Sequence, residues 1–196
     1  MRNHLLRACR VRSSGERGFS LLEVLVAMGI LVVGLVSLLA LFAQAIATMQ
    51  TSQENLLARQ KVREALESIY TARNTQQIVF DDIQNVASGG IFLDGWQPLR
   101  QPNPAGGGGD GLVGTADDGP IETITLPGPD GLLGTGDDEF RTLTEFDRRI
   151  QIAPVLMVDG ITPNSDLRQV TVSVRFTTSQ GHRRTYQVAA YFSRFR

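Results

Sequence analysis

RGFSLLEVLVAMGILVVGLVSLLALFA, residues 17–43, decides how the rest of the chain must be read. From Val24 to Ala43 there are twenty residues without a charge, and Ser37 is the one polar side chain among them. A helix rises about 1.5 Å per residue, so such a run crosses the ~30 Å hydrocarbon core of a bilayer. Working outward toward the N-terminus, residues 1–18 hold Arg2, Arg7, Arg10, Arg12 and Arg17 against Glu16, a formal +4 in a chain whose total is −1. The remainder therefore carries −5. A basic stub ahead of an apolar run reads as a membrane-targeting signal, not as a nucleic-acid-binding arm. The arginines are expected to stay cytoplasmic, which places the C-terminal part on the far side. The single cysteine, Cys9, lies inside the stub, so an intramolecular disulfide is excluded.

Glu23 is the residue that an ordinary span does not explain. Insertion scales put a charged side chain at mid-helix near ~3 kcal/mol, and less toward the end. One reading is an interfacial carboxylate that marks the membrane boundary. The other is a carboxylate that pairs with a positive group in a protein assembly, which offsets its desolvation.

The stretch Arg17-Gly18-Phe19-Ser20-Leu21-Leu22-Glu23-Val24-Leu25-Val26-Ala27 resembles the cleavage and assembly motif of type IV prepilins. That family has a short basic leader ending in Gly, then Phe or Met, then a Glu at the fifth position after the cut. The resemblance implies that a prepilin peptidase cuts between Gly18 and Phe19, and that the new amine of Phe19 is methylated. It further implies that Glu23 satisfies the N-terminus of a neighbouring pilin subunit and sets helix register. Cys9 would leave with the leader. A rival is an ordinary secretory signal cut at Ala43-Gln44-Ala45 or Ala45-Ile46-Ala47. Its apolar region would exceed the usual ~7–15 residues, and Glu23 would have no role.

Beyond the span, Leu56, Leu57, Val62, Ala65, Leu66, Ile69 and Tyr70 recur at helical spacing, with Arg59, Lys61, Arg63, Glu64 and Glu67 off that stripe. No proline interrupts residues 19–97. The expectation is one helix from Phe19 to Ala72, with a further short helix over Thr75–Val86. Residues 1–18 are then the leader, 19–48 the membrane or filament-core half of the helix, 49–73 its outer amphipathic half, and 74–196 an exported globular domain.

Within that domain, residues 121–126 alternate as a half-buried strand should, and residues 146–154 form another candidate. Val170, Val172, Val174 and Phe176 share one face of a strand over 169–176; Gln180-Gly181-His182 supplies a turn, and 185–192 the partner strand. The fold class is α+β and pilin-like: a long N-terminal helix packed on a C-terminal antiparallel sheet. The C-terminal hairpin also resembles the PilV class of minor pilins and the minor pseudopilin of type II secretion. Trp96 is expected at the edge of the small core.

Residues 110–119, DGLVGTADDG, and 130–139, DGLLGTGDDE, share seven of ten positions at a spacing of twenty. Asp110, Asp117, Asp118, Asp130, Asp137 and Asp138 supply carboxylates on glycine-bent backbone, the ligand type that Ca²⁺ takes, and Thr115 and Thr135 could add oxygens. The plain alternative is a pair of solvated turns, because Asp-Gly and Gly-Thr are ordinary turn chemistry. The spacing is not that of an EF-hand.

No catalytic constellation stands out, so an enzyme is not expected. His4 is in the leader and His182 in a turn, and without an exported cysteine a Cys–His pair is excluded. The glycine-rich residues 105–111 lack the lysine of a phosphate loop. The function expected is that of a minor type IV pilin, with prepilin peptidase, other pilin subunits and the inner membrane as partners and the pilus or cell surface as destination. The alternatives are a minor pseudopilin of a type II secretion system and a signal-anchored, calcium-dependent binding module.

Overall fold

The computed structural model describes residues 18–103, 109–178 and 180–195. The chain divides into two units, Met1–Ala45 and Ile46–Arg196. Helix α1 (Leu21–Asn74) runs through the boundary between them. In the first unit every described residue is exposed, as the apolar composition of the helix would require of a segment whose solvent is not water. Ser37, the polar exception, donates to the carbonyl of Val33 at 2.8 Å and so satisfies itself within the helix.

In the second unit Ala58, Val62, Ala65, Leu66, Ile69 and Ala72 bury one stripe of α1. Against it lies a four-stranded antiparallel sheet in the order β1 (Gln97–Pro98), β4 (Phe146–Leu156), β5 (Pro163–Thr177), β6 (Arg183–Ser193). Val170, Val172, Val174 and Phe176 of β5 point into the core, and each such side chain contributes roughly 1.5–3 kcal/mol by leaving water. Phe146 and Phe176, paired across the β4–β5 ladder, stack at 5.4 Å, and Tyr70 of α1 stacks on Phe192 of β6 at 4.3 Å. The helix-on-sheet α+β arrangement read from the sequence is the one found.

A second, two-stranded sheet pairs β2 (Thr123–Leu126) with β3 (Glu139–Thr142). The repeats are therefore joined by one arm of a hairpin, and the second repeat forms its connection. Strand β3 is absent from the sequence reading because EFRT has neither alternation nor a β-branched run; its register opposite Thr123–Leu126 makes it a strand.

Three further expectations are corrected. Residues 75–86 do not form a helix: Gln76 sits at φ 62°, and beyond it the chain makes two 3₁₀ turns, Phe80–Asp82 and Val86–Ser88. Asn85 then extends the sheet with its side chain, accepting from the Ile152 N–H at 2.9 Å and donating to the Ile150 carbonyl at 2.8 Å. This covers the edge of β4 where β1 has ended. Arg168 of β5 holds the first turn by donating to the carbonyls of Phe80 and Ile83 at 2.6 and 2.7 Å.

The second correction is Lys61, the one lysine in the chain, which is buried and paired with Glu122 and Glu64 and does not lie on the solvated face. Burial acts to lower its pKa, but the two carboxylates outweigh that and hold it above the ordinary lysine value. Leu56, expected on the buried stripe, is exposed. Trp96 is half-buried and makes cation–π contacts with the guanidinium groups of Arg175 and Arg149, at 4.3 and 4.7 Å from its ring centre.

Candidate functional site

Two regions carry the candidate residues. The first is the pair of acidic loops. In residues 110–119, the Asp110 carboxylate accepts from the Leu112 N–H at 2.8 Å, and Asp117 accepts from the Asp110 N–H at 2.8 Å and the Thr115 hydroxyl at 2.7 Å. Asp118 accepts from the Gly114 N–H at 2.8 Å. Residues 130–139 repeat the network: Asp130 with Leu132 N–H at 2.8 Å, Asp137 with Asp130 N–H at 3.3 Å and the Thr135 hydroxyl at 2.7 Å, Asp138 with Gly134 N–H at 2.7 Å. Gly114 and Gly134, at φ 82° and 86°, occupy the left-handed region that a side chain would strain. The shared residues therefore close the loop on itself, which is reason enough for them to recur.

Their electrostatics follow from this wiring. Burial acts to raise the Asp117 carboxyl, but the Thr115 hydroxyl and the Asp110 N–H outweigh it and hold it below the ordinary aspartate value. The Thr135 hydroxyl does the same for Asp137, followed by the Asp130 N–H. Asp118 is pushed up by burial, against the pull of the Gly114 N–H and of Arg148 at 4.0 Å. Among the described residues, no group of three or more His, Cys, Asp or Glu side chains is placed to hold a metal ion.

The second region is the start of α1. Gly18, Phe19 and Ser20 precede the helix, and the Ser20 carbonyl accepts its first bonds, from the N–H groups of Glu23 at 3.0 Å and Val24 at 3.2 Å. Ser20 thus stands at the N-cap position. The Gly18–Phe19 peptide bond lies outside the helix, with open space about Gly18 and Phe19 80% exposed. Glu23 falls in the first helical turn, four residues after Phe19, where a carboxylate also complements the helix dipole. From there the apolar side chains run on unburied, and α1 is long and apolar enough to cross a membrane.

Residues 13–39 match the family model described as the prokaryotic N-terminal methylation motif. The match supports a protein of the type IV pilin and pseudopilin kind, anchored through its apolar helix. Such a motif implies processing by a prepilin peptidase and assembly with other pilins. It spans Gly18, Phe19 and Glu23, and its leader part extends into residues 13–17, which lie outside the described residues. No curated protein and no solved structure matches the chain.

The sequence singled out Gly18, Phe19, Glu23, the six aspartates, Thr115 and Thr135; it missed Arg148 and Glu54. This carboxylate is 8% exposed, and among the described residues no donor reaches its Oε2. Its position as the first charge after the apolar run was the available signal.

Proposed function

We propose that this chain is a minor type IV pilin. In this reading the leader of residues 1–18 is removed between Gly18 and Phe19, the Phe19 amine is methylated, and α1 anchors the product in the inner membrane before its entry into a filament. Residues 19–48 form the membrane and filament-core half of the helix, 49–73 its outer half, and 74–196 the exported domain. The observation that carries the reading is the register of the methylation motif with the helix start: Gly18 and Phe19 are exposed ahead of the first turn, and Glu23 lies within it. A carboxylate there, followed by an apolar surface without partners, is chemistry for packing against other helices.

A pseudopilin role in a type II secretion system rests on the same residues. Cutting after Gly18 leaves 178 of the 196 residues, which favours the pilin, since pseudopilins are usually shorter. Calcium binding by Asp110, Asp117, Asp118, Asp130, Asp137 and Asp138 is a separate proposal that rests on the ligand chemistry of the six carboxylates; calorimetric titration of the full chain with Ca²⁺ decides it.

Mass spectrometry of the N-terminus in the native host tests the main reading. A methylated Phe19 is expected. A start at Met1, or after Ala45 or Ala47, would sink it. Glu23→Gln should leave cleavage intact and lower the amount of protein in sheared filaments; unchanged incorporation would refute the pairing role.

A further inference from the structure

We propose that the hollow around Glu54 receives an arginine or lysine side chain of another polypeptide, held by its cationic head and its aliphatic stem. The inference stands on the second unit alone, whether or not the N-terminal segment is processed as proposed. Glu54 lines two adjoining open hollows, of about 440 and 320 Å³, which also share Gln53 and Arg141. Polar and charged side chains line the larger, with Gln50, Glu145, Thr177 and Thr178 completing its wall. The smaller is an apolar groove formed by Leu56 and Leu57 of α1 and by Ile124 and Leu126 of β2. A carboxylate is thus placed where polar and apolar walls meet.

The charges fix what it accepts. Arg141 is engaged with Glu145, its Nη2 lying 3.4 Å from Oε1, so it gives Glu54 no hydrogen bond. The three charged side chains leave one net negative charge, and it resides on a carboxylate that is buried with an oxygen lacking a donor. A buried acceptor of this kind costs stability until a donor reaches it. Burial holds the Glu54 carboxyl above the ordinary glutamate value; Arg141 pulls it down and Glu145 pushes it up, and an incoming cation would lower it.

A divalent ion fits poorly, since Arg141 repels it and Glu145 is already committed. A single N–H-bearing cation matches the net charge. The groove of Leu56, Leu57, Ile124 and Leu126 then explains the rest of the ligand: the methylene stem of arginine or lysine lies along apolar surface while its head reaches a carboxylate. Leu56, which α1 leaves 65% exposed, would be covered in this way.

The test uses the full chain in detergent micelles, with the ¹³C resonance of the Glu54 carboxyl as the readout. The probes are the blocked tripeptide acetyl-Leu-Arg-Leu-amide, the same peptide with neutral citrulline in place of arginine, guanidinium chloride, and Ca²⁺. The arginine peptide should shift the resonance saturably, at least about tenfold more tightly than guanidinium, and the citrulline peptide should not. Arg141→Gln, which removes the repelling cation, should tighten the arginine peptide several-fold; Glu54→Gln, followed through the Leu56 methyl resonances, should abolish binding, and Arg141→Gln carries the test if that variant fails to fold. No saturable shift overturns the proposal. So does saturation by Ca²⁺, or guanidinium binding as tightly as the peptide, which would make the site one for a free cation.

Discussion

The loops at 110–119 and 130–139 share seven residues, the same carboxylate-to-backbone bonds and the same left-handed glycines, yet they live in different surroundings. In the first, Leu112 and Val113 are buried in the core, the Leu93 N–H donates to the Gly114 carbonyl at 2.7 Å, and the Asp118 and Arg148 side chains are buried side by side. The φ of 82° at Gly114 favours glycine there, and a Cβ would meet Ile150 Cδ1 at 2.7 Å, so the end of that side chain would have to shift. In the second, Leu132 and Leu133 are 62% and 66% exposed, and a Cβ on Gly134 would meet nothing. One short sequence therefore fixes the shape of a loop, while the elements around it decide whether that loop belongs to the core.

The largest separation of the two should come from the leucines. Leu112→Ala removes a core side chain and should cost about 3 kcal/mol, whereas Leu132→Ala should stay within about 0.5 kcal/mol. Denaturant titrations of the full chain in micelles measure both; equal costs would mean that the second loop is also packed and would break the comparison. Next come the carboxylates. Asp118→Asn leaves the buried Arg148 without its nearest counter-charge and should cost about 2 kcal/mol, somewhat less than a fully isolated buried pair because Glu122 also acts on that guanidinium. Asp138→Asn should cost less than about 1 kcal/mol. A similar loss at both positions would show that closing the loop, and not the arginine, is what Asp118 contributes.

This contrast also marks how far the sequence was legible. The α1 span, its start after Ser20 and the β5–β6 hairpin all follow from patterns local to the chain: an uncharged run, a helical period, and Val170, Val172, Val174 and Phe176 in alternation. The residues of the processing motif were equally plain, because they lie next to one another. What was lost depends on partners far along the chain. Lys61 reads as a surface residue until Glu122, sixty-one positions away, is brought against it. Strand β3 exists through its pairing with β2, and the bend at Gln76 ends a pattern that composition alone would have carried on as helix. Glu54 escaped for the same reason: a buried carboxylate looks like any helical glutamate until β3 and the end of β5 close around it.

The smallest expected effects sharpen the comparison most, because they separate loop wiring from loop burial. Asp117 and Asp137 both titrate below the ordinary aspartate value in the folded chain. A depressed folded pKa means that each adds stability fully present above the unfolded value, about pH 4, and lost as the pH falls through the folded value. Both loops should therefore open in acid, seen as lower hydrogen-exchange protection, relative to the intrinsic rate at each pH, of the Asp110 and Asp130 N–H groups below about pH 4. Replacing the hydroxyl donor should then divide them. For Asp137 the Thr135 hydroxyl is the leading cause of the depression, so Thr135→Val should return the carboxyl toward the ordinary value, with the Asp130 N–H still holding it slightly below. For Asp117 burial is the leading influence and acts in the opposite direction. Thr115→Val removes the strongest force opposing that burial, so the Asp117 carboxyl should rise further than that of Asp137. Carboxyl ¹³C titrations of the two variants measure this directly. Equal rises would mean that the hydroxyl alone sets both values and that the core around the first loop does not reach Asp117.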